Sequence, residues 1–251
     1  MVESLRRRLA GEGPALVATF VIVPRIEIVE IAALAGFDAV ILDQEHGPLG
    51  VELLPPLVAA ARGAGIFSVV RVPECRAKQI EAALDLGADG VLVPHVSSAA
   101  DATLAVAAAR FAPEGRRGAN PYVRAAGYSA DERFFAEANE RAACLALVEG
   151  TEGVAAIDEI LAVPGLDAVF IGPVDLSAAL GVPGEPEHPR VVETVRGLVE
   201  RGRDRGVATA VFAPTPEAAR RWLELGVRLV ALSVDTGLML QGFRAALAET
   251  R

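Results

Sequence analysis

Residues 35–40 read Ala-Gly-Phe-Asp-Ala-Val, and the phrase returns as Leu-Gly-Ala-Asp-Gly-Val at residues 86–91 and as Pro-Gly-Leu-Asp-Ala-Val at residues 164–169. Each copy leads into a short apolar run rich in Val, Ile, Leu and Ala. Glycine at the end of a helix accepts the left-handed backbone conformation without Cβ strain, so the phrase is typical of a helix that ends just before a strand. Its recurrence predicts repeated helix–strand units.

The whole chain contains eight such apolar runs. They are almost continuously hydrophobic, which is the pattern of parallel strands that are buried on both faces. The predicted strands are Leu16–Val21, Ala39–Leu42, Phe67–Arg71, Gly90–Val93, Cys144–Val148, Ala168–Ile171, Val207–Val211 and Leu229–Ser233.

Helical spacing of apolar residues fills the intervals between these runs. The predicted helices are Ile26–Ala35, Val51–Ala64, Ala77–Leu86, Ser98–Ala109, Gly153–Leu161, Pro189–Arg205, Pro216–Leu225 and Leu238–Glu249. Eight strand–helix units in 251 residues predict an α/β fold, a single (β/α)8 TIM barrel domain over residues 1–251. The alternative is a doubly wound open sheet, but no G-x-G-x-x-G turn follows the first predicted strand.

One irregular segment, at about residues 112–141, lies between the fourth and fifth units. It holds several Gly and Pro residues, then a helical patch near Asp131–Asn139. A loop of this length inside a barrel is usually functional or part of an interface. We therefore expect this segment to have one of these roles.

Composition argues against several function classes. The chain has 24 Lys and Arg against 33 Asp and Glu, a formal net charge of −9, which argues against nucleic acid as a partner. Cys75 and Cys144 form no C-x-x-C pattern, which favours a reducing, cytoplasmic location. We expect no membrane partner, because no apolar run approaches the ~20 residues that span a bilayer and no secretory signal is visible.

Polar residues follow several predicted strands at the ends where barrel enzymes carry their chemistry. Two carboxylates that follow neighbouring strands, Glu149 and Asp175, suit a hard divalent cation such as Mg²⁺ or Mn²⁺. A histidine and an arginine nearby would supply a base and a fixed cation. The full set is Asp43, Glu45 and His46 after strand two, Arg71 at strand three, His95 after strand four, Glu149 after strand five and Asp175 after strand six.

Several of the histidines, acids and arginines also have a structural interpretation. Asp175 could be the N-cap of the next helix, and Glu149 a solvated loop acid. Arg71 could pair with a neighbouring acid, and His95 could be a packed or surface residue. His188 is best explained as a loop residue near a helix start.

The chain resembles the HpcH/HpaI aldolases, class II metal-dependent pyruvate aldolases of the phosphoenolpyruvate/pyruvate barrel superfamily. The resemblance runs from about residue 15 to the C-terminus, and its motifs are Leu42-Asp43-Gln44-Glu45-His46-Gly47, Arg71-Val72-Pro73, Val148-Glu149 and Val169–Ser177. It implies a (β/α)8 barrel whose last helix is swapped between subunits, and a homohexamer built as a trimer of dimers.

The resemblance also implies a role for each site residue. Glu149 and Asp175 would bind the metal, which would be Mg²⁺, Mn²⁺ or Co²⁺ with no organic cofactor. Arg71 would lie against the keto oxygen of pyruvate, and His46 would be the general base. Asp85 lies at the end of a predicted helix, where a negative charge is unfavourable, and this position indicates that it has a partner. The resemblance implies that Asp85 raises the basicity of His46 and fixes its tautomer. Substrate would be bound by Arg71 and by the segment Gly172, Pro173, Val174 and Asp175, whose backbone N–H groups near Val174 would hold the carboxylate.

The expected reaction is the reversible cleavage of a 4-hydroxy-2-oxo acid to pyruvate and an aldehyde through a metal-chelated pyruvate enolate. A class I mechanism needs a lysine at a strand end, whereas Lys78 lies on a predicted helix. Two alternatives stay open: a CoA-thioester lyase of the malyl- or citryl-CoA type, and a non-catalytic scaffold barrel. Three departures from the family pattern make the pocket more apolar or differently shaped. They are Leu147 in place of Gln, Thr19 in the region where many members have a Trp, and Val174 in place of Ala or Ser.

Overall fold

Eight parallel strands close into a barrel in the computed structural model, which describes residues 4–250. Each strand pairs with the next along the chain, and the eighth pairs with the first. The predicted (β/α)8 barrel is therefore confirmed. The strands are β1 (Leu16–Val21), β2 (Ala39–Asp43), β3 (Phe67–Arg71), β4 (Gly90–Val93), β5 (Ala143–Val148), β6 (Ala168–Ile171), β7 (Ala208–Ala213) and β8 (Leu229–Val234).

Helices connect the strands and surround the barrel. They are α1 (Leu5–Leu9), α2 (Ile26–Leu34), α3 (Leu54–Ala64), α4 (Ala77–Asp85), α5 (Ala99–Ala109), α6 (Phe134–Arg141), α7 (Thr151–Ala155), α8 (Ile157–Leu161), α9 (Pro173–Ala179), α10 (Pro189–Arg205), α11 (Pro216–Glu224) and α12 (Asp235–Ala248). Short 3₁₀ turns lie at Val51–Leu53 and Arg124–Ser129. Within residues 4–250, none of the helices combines the length and apolarity needed to cross a bilayer.

Most predicted elements match to within three residues at each end, and the larger differences have local causes. The predicted helix Gly153–Leu161 is two short helices, because the chain leaves helical geometry at Ala156. The first helix, α1, was not predicted, since five residues are too few to show a period. The helical patch in the long loop is α6, and the remainder of the loop holds one 3₁₀ turn.

The hydrophobic core forms two layers. One lies between the strands and the surrounding helices, and the other fills the barrel interior. Leu5 and Leu9 of α1 belong to the interior layer and close the N-terminal end, where Gly90 leaves room for the Leu5 side chain. At the C-terminal end the interior layer finishes in Phe20 and Phe170, whose rings meet edge to face at 6.0 Å.

The recurrent phrase joins strands in pairs at the N-terminal end of the barrel. Its aspartate precedes an even-numbered strand and accepts a hydrogen bond from a backbone N–H of the odd-numbered strand before it. These bonds run from Val17 to Asp38 at 2.8 Å, from Ser68 to Asp89 at 2.8 Å and from Cys144 to Asp167 at 2.7 Å. The glycines of the phrase have φ between 84° and 95°, as the sequence predicts. We call these three bonds the aspartate braces.

Candidate active site

A cavity of about 280 Å³ opens at the C-terminal end of the barrel. His46, Arg71, Glu149 and Asp175 all line it, although they follow different strands and are far apart in sequence. This is the end at which (β/α)8 enzymes carry out their chemistry. The structure therefore brings together four of the five residues for which the resemblance implies a catalytic or metal-binding role.

Arg71 is held in place by two acids. Its Nε and Nη2 donate to the two carboxylate oxygens of Asp43 at 2.8 and 2.6 Å, and its Nη1 lies 3.0 Å from a carboxylate oxygen of Glu45. Asp43 and Arg71 occupy paired positions at the ends of β2 and β3, which explains the alignment. Burial works against the charged guanidinium, but the hydrogen bond and charge of Asp43 outweigh it and raise the pKa of Arg71. Arg71 is thus a fixed cation at the cavity.

The turn after β2 delivers His46 to the cavity. Asp43 Oδ1 accepts the backbone N–H groups of Glu45 and His46 at 3.0 and 3.2 Å, so one carboxylate fixes both Arg71 and the turn. Gly47 is required because a Cβ there would lie 2.4 Å from the carbonyl oxygen of Asp43. The His46 side chain is exposed and faces the cavity, where it is available for proton transfer.

Glu149 lies directly after β5, buried among other acids. Its Oε1 accepts the backbone N–H of His95 at 3.0 Å and lies 2.9 Å from Nδ1 of the His95 ring. Burial raises the pKa of Glu149, and the charges of Glu45 and Asp175 raise it further, while His95 lowers it. Crowded carboxylates of this kind favour a cation among them.

Asp175 lies in the first turn of α9 and lines the same cavity as Glu149. The interpretation of Asp175 as an N-cap is wrong, because α9 begins at Pro173 and its cap residue is Gly172. Gly172 also leaves room for Glu149, since a Cβ there would lie 3.2 Å from the Glu149 Cβ. Gly172, Pro173 and Val174 line the cavity as well, which is the placement that the resemblance implies for substrate-binding residues.

The donor set fits a hard divalent cation. Within residues 4–250, Glu45, His95 and Glu149 each offer a ligand atom within 4.8 Å of the others, and Asp175 shares the cavity with Glu149. Oxygen-rich donor sets suit Mg²⁺ and Mn²⁺, and an imidazole suits Co²⁺ or Mn²⁺ equally. Glu149 and Asp175 would hold the ion, with Glu45 and His95 beside them.

His95 lies beside Glu45 and Glu149, although the sequence analysis assigned it no catalytic or metal-binding role. Its ring is 70% exposed, yet Nε2 lies 2.9 Å from Glu45 while Nδ1 lies 2.9 Å from Glu149. Its backbone has φ of 54°, an unusual value for a residue with a side chain. The available signal was its position after β4, at the functional end of the barrel.

Asp85 is not brought to His46 within one chain. It ends α4, next to the start of β4 and therefore at the opposite end of the barrel from the cavity. Its Oδ1 accepts from Nη2 of Arg117 at 2.6 Å, and Arg117 stacks on the ring of Phe111 at 4.6 Å. The catalytic role of Asp85 stays a prediction, and it requires a second subunit.

The remaining predicted residues lie as follows. Leu147 and Val174 line the cavity, whereas Thr19 is buried behind it and its hydroxyl lies 3.4 Å from the carbonyl oxygen of Ser233. His188 is the N-cap of α10, in agreement with its expected structural role. Lys78 lies on the surface of α4 and pairs with Glu81, away from the cavity, as expected if no Schiff base forms.

Comparison with known proteins identifies the family of this chain. A family model described as HpcH/HpaI aldolase/citrate lyase matches residues 17–242. The 5-keto-4-deoxy-D-glucarate aldolase of Escherichia coli strain K12 is 38% identical over 224 residues, which are 88% of this chain and 86% of that protein.

Solved structures of the same family superpose along nearly the whole chain. An HpcH/HpaI aldolase/citrate lyase family protein from Burkholderia cenocepacia J2315 has a TM-score of 0.93 and 34% identity, with 98% of each chain covered. An HpcH/HpaI aldolase from Desulfitobacterium hafniense DCB-2 has a TM-score of 0.89 and 32% identity, with 99% of this chain and 96% of that chain covered. The chain therefore belongs to the HpcH/HpaI aldolase/citrate lyase family, and it is a carbon–carbon lyase.

Proposed function

We propose that this chain catalyses the reversible cleavage of a 4-hydroxy-2-oxo acid to pyruvate and an aldehyde, with a divalent cation, Mg²⁺, Mn²⁺ or Co²⁺, as its cofactor. The observation that carries the proposal is the convergence of His46, Arg71, Glu149 and Asp175 on one cavity. The name of the E. coli relative supports an aldol substrate.

Each side chain has a task in this reaction. Arg71, a permanent cation, stabilises negative charge that develops on the keto oxygen, and backbone N–H groups at Val174 and Asp175 bind the carboxylate. His46 accepts the proton of the C4 hydroxyl in cleavage and a methyl proton of pyruvate in the reverse direction. Glu149 and Asp175 would hold a divalent cation, which would supply Lewis-acid assistance to enolate formation.

The test is exchange of the pyruvate methyl protons for deuterium, followed by NMR without any aldehyde. EDTA-treated protein should lose exchange, and Mn²⁺, Co²⁺ or Mg²⁺ should restore it. A calorimetric titration with Mn²⁺ gives a second readout. Absence of site-specific metal binding and of heat on adding pyruvate would contradict the metal-dependent mechanism, whereas activity on acyl-CoA thioesters alone would favour a CoA-thioester lyase.

The working form in this proposal is a homo-oligomer, a trimer of dimers in which α12 packs on a neighbouring subunit. Of the described residues of α12, Asp235 alone is buried, while Leu240, Phe243 and Leu247 are 50%, 73% and 49% exposed. An apolar helix face left in water favours burial against another chain. Light scattering coupled to gel filtration would measure the mass.

Asp85 can assist His46 in this assembly only from a neighbouring subunit. A mixture of His46→Ala and Asp85→Asn proteins tests this, because some mixed sites would then hold both native residues. Recovery of exchange after denaturation and joint refolding is the expected result. No recovery, with hexamers present, would remove Asp85 from the mechanism.

A further inference from the structure

His95 has no task in the proposed reaction, yet its backbone is strained. It follows β4 with φ of 54°, in the left-handed region that residues with a side chain seldom adopt. Strain of this kind persists where the surrounding contacts hold the residue in place, and it is common at functional sites. The contacts of His95 therefore indicate what the strained conformation achieves.

The left-handed conformation directs two groups of His95 at one oxygen of Glu149. The backbone N–H donates to Glu149 Oε1 at 3.0 Å, and ring Nδ1 lies 2.9 Å from the same atom. The other carboxylate oxygen, Oε2, faces Gly172, where a Cβ would lie 3.4 Å from it. Gly172 caps α9, whose first turn carries Asp175. His95 thus occupies one oxygen of Glu149 and leaves the other beside the helix that carries the second predicted metal ligand.

The second nitrogen of the ring reaches a different acid. Nε2 of His95 lies 2.9 Å from Glu45 Oε1, while Glu45 Oε2 lies 3.0 Å from Nη1 of Arg71. Glu45 and Glu149 are both buried, with 8% of each side chain exposed. Arg71 is therefore joined to Glu149 by consecutive contacts through Glu45 and His95. We call Glu45 and His95 the bridge.

The bridge joins the cation expected beside the substrate to a carboxylate expected to bind the metal. Carboxylates that bind metals are usually oriented by hydrogen bonds from neighbouring groups, and loss of such a partner typically weakens metal binding about 10–100-fold. A carboxylate that is already oriented also loses less conformational freedom when its ligand arrives. The ring of His95 adds orientation to what the backbone N–H supplies, and it separates two acids whose charges repel.

We propose that His95 is a positioning residue that holds Glu149 ready for the divalent cation, and that its contact with Glu45 ties this metal ligand to Arg71. The inference rests on the proposed aldolase function. In this role His95 affects the affinity for the cation more than the rate of the loaded enzyme. The role depends on the direction of the contacts rather than on charge, which water screens at an exposed ring.

The first test measures the affinity for Mn²⁺ by calorimetry, without pyruvate, in the full-length protein. His95→Gly removes the ring but keeps the backbone N–H, and glycine adopts a positive φ freely. We expect the Kd for Mn²⁺ to rise about 10–100-fold, while pyruvate exchange at saturating Mn²⁺ changes far less. Ser97→Ala is the control in the same loop, because its hydroxyl donates to Asp101 instead, and it should leave the Kd unchanged. An unchanged Kd in His95→Gly would overturn the inference.

Thermal unfolding of the metal-free proteins separates positioning from stability. His95→Gly should unfold close to the native temperature, because the change also relieves backbone strain. His95→Asn is a second variant, since asparagine tolerates the left-handed region and its shorter side chain cannot reach both acids. We expect weaker Mn²⁺ binding in this variant too. A large fall in the unfolding temperature of both variants would make His95 a structural residue and overturn the inference.

A double-mutant cycle tests the link through Glu45. Glu45→Gln should raise the Kd for Mn²⁺ in the native background, because it weakens the hold on the ring. In the His95→Gly background the same substitution should have a smaller effect, since the bridge is already broken. If the charge of Glu45 acted on the cation directly, the effect would be equal or larger in that background. That outcome would overturn the link to Arg71.

Failure of this inference and failure of the proposed function give different results. Native protein that binds Mn²⁺ and exchanges pyruvate protons, together with His95→Gly protein that binds Mn²⁺ equally tightly, would overturn this inference alone. Native protein that neither binds Mn²⁺ nor exchanges pyruvate protons would overturn the proposed function and this inference with it.

Discussion

Each end of the barrel buries an arginine against an aspartate, and the two ends differ in what surrounds the pair. At the N-terminal end Arg110 is fully buried and donates to Asp167 and to the carbonyl oxygens of Ala142 and Gly165. At the C-terminal end Arg71 pairs with Asp43 beside an open cavity. An arginine–aspartate pair thus stabilises the fold at the N-terminal end, where the surrounding space is filled. At the C-terminal end the same type of pair positions a cation beside the cavity.

The largest effect on stability is expected from substituting Arg110, at the N-terminal end of the barrel. Arg110→Met removes one of two arginines that pair with Asp167 and leaves Arg6 as its remaining cation, so we expect the free energy of unfolding to fall by about 3 kcal/mol. Urea denaturation measures this. Pyruvate exchange per folded molecule should stay unchanged, and a large loss of exchange with normal stability would contradict the contrast between the two ends.

The largest effect on activity is expected from substituting Glu149, at the C-terminal end of the barrel. Glu149→Gln removes a charge that would hold the cation, so we expect exchange to fall about 10²–10³-fold. Glu152→Gln is the matched control, because Glu152 is an exposed glutamate that does not line the 280 Å³ cavity. Metal-dependent exchange at the native rate in Glu149→Gln would remove Glu149 from the metal site.

Arg71→Lys tests whether the paired guanidinium is needed for its shape as well as its charge. A lysine cannot contact both oxygens of Asp43 and Glu45 together, so we expect exchange to fall about 10²-fold with little change in thermal stability. If Arg71→Lys unfolded as readily as Arg110→Met, the pair of Arg71 and Asp43 would also be needed for the stability of the fold.

The raised pKa of Glu149 predicts how metal binding depends on pH. The charged carboxylate is the form that binds a cation, and protonation competes with it. Because burial raises the pKa of Glu149, affinity for Mn²⁺ should begin to fall at a higher pH than it would for an ordinary glutamate. Calorimetric titrations in steps from pH 7.5 downward measure the decline, and a flat profile would contradict it.

The smallest effect on activity is expected from substituting His95, at the edge of the site. The His95 ring is 70% exposed, so its contacts with Glu45 and Glu149 are screened by water. His95→Ala should lower exchange less than about tenfold, and His188→Ala, at a helix cap far from the cavity, should not change it. A loss as large as that of Glu149→Gln would make His95 an essential ligand.

The sequence predicted the barrel well because the barrel depends on local patterns. Buried strands and glycine-ended helices can be recognised within ten or so residues, and strand ends determine that His46, Arg71, Glu149 and Asp175 converge. Pairings between distant strands have no local signal.

The contact of His95 with Glu45 therefore had no signature, since it joins the ends of β4 and β2. Helix α1 was missed for a related reason, because its burial depends on the finished barrel interior. The position of Asp85 beside Arg117 likewise follows from packing between α4 and the long loop.

The aspartate braces bear on where the chain can be cut. Each brace joins two consecutive strands, β1 to β2, β3 to β4 and β5 to β6, and none crosses from β4 to β5. A circular permutant with its new termini in the exposed stretch around residues 119–122 would sever no brace and leave every four-strand half intact. The barrel is closed by eight strands, and three of its strand pairs are additionally joined by a brace.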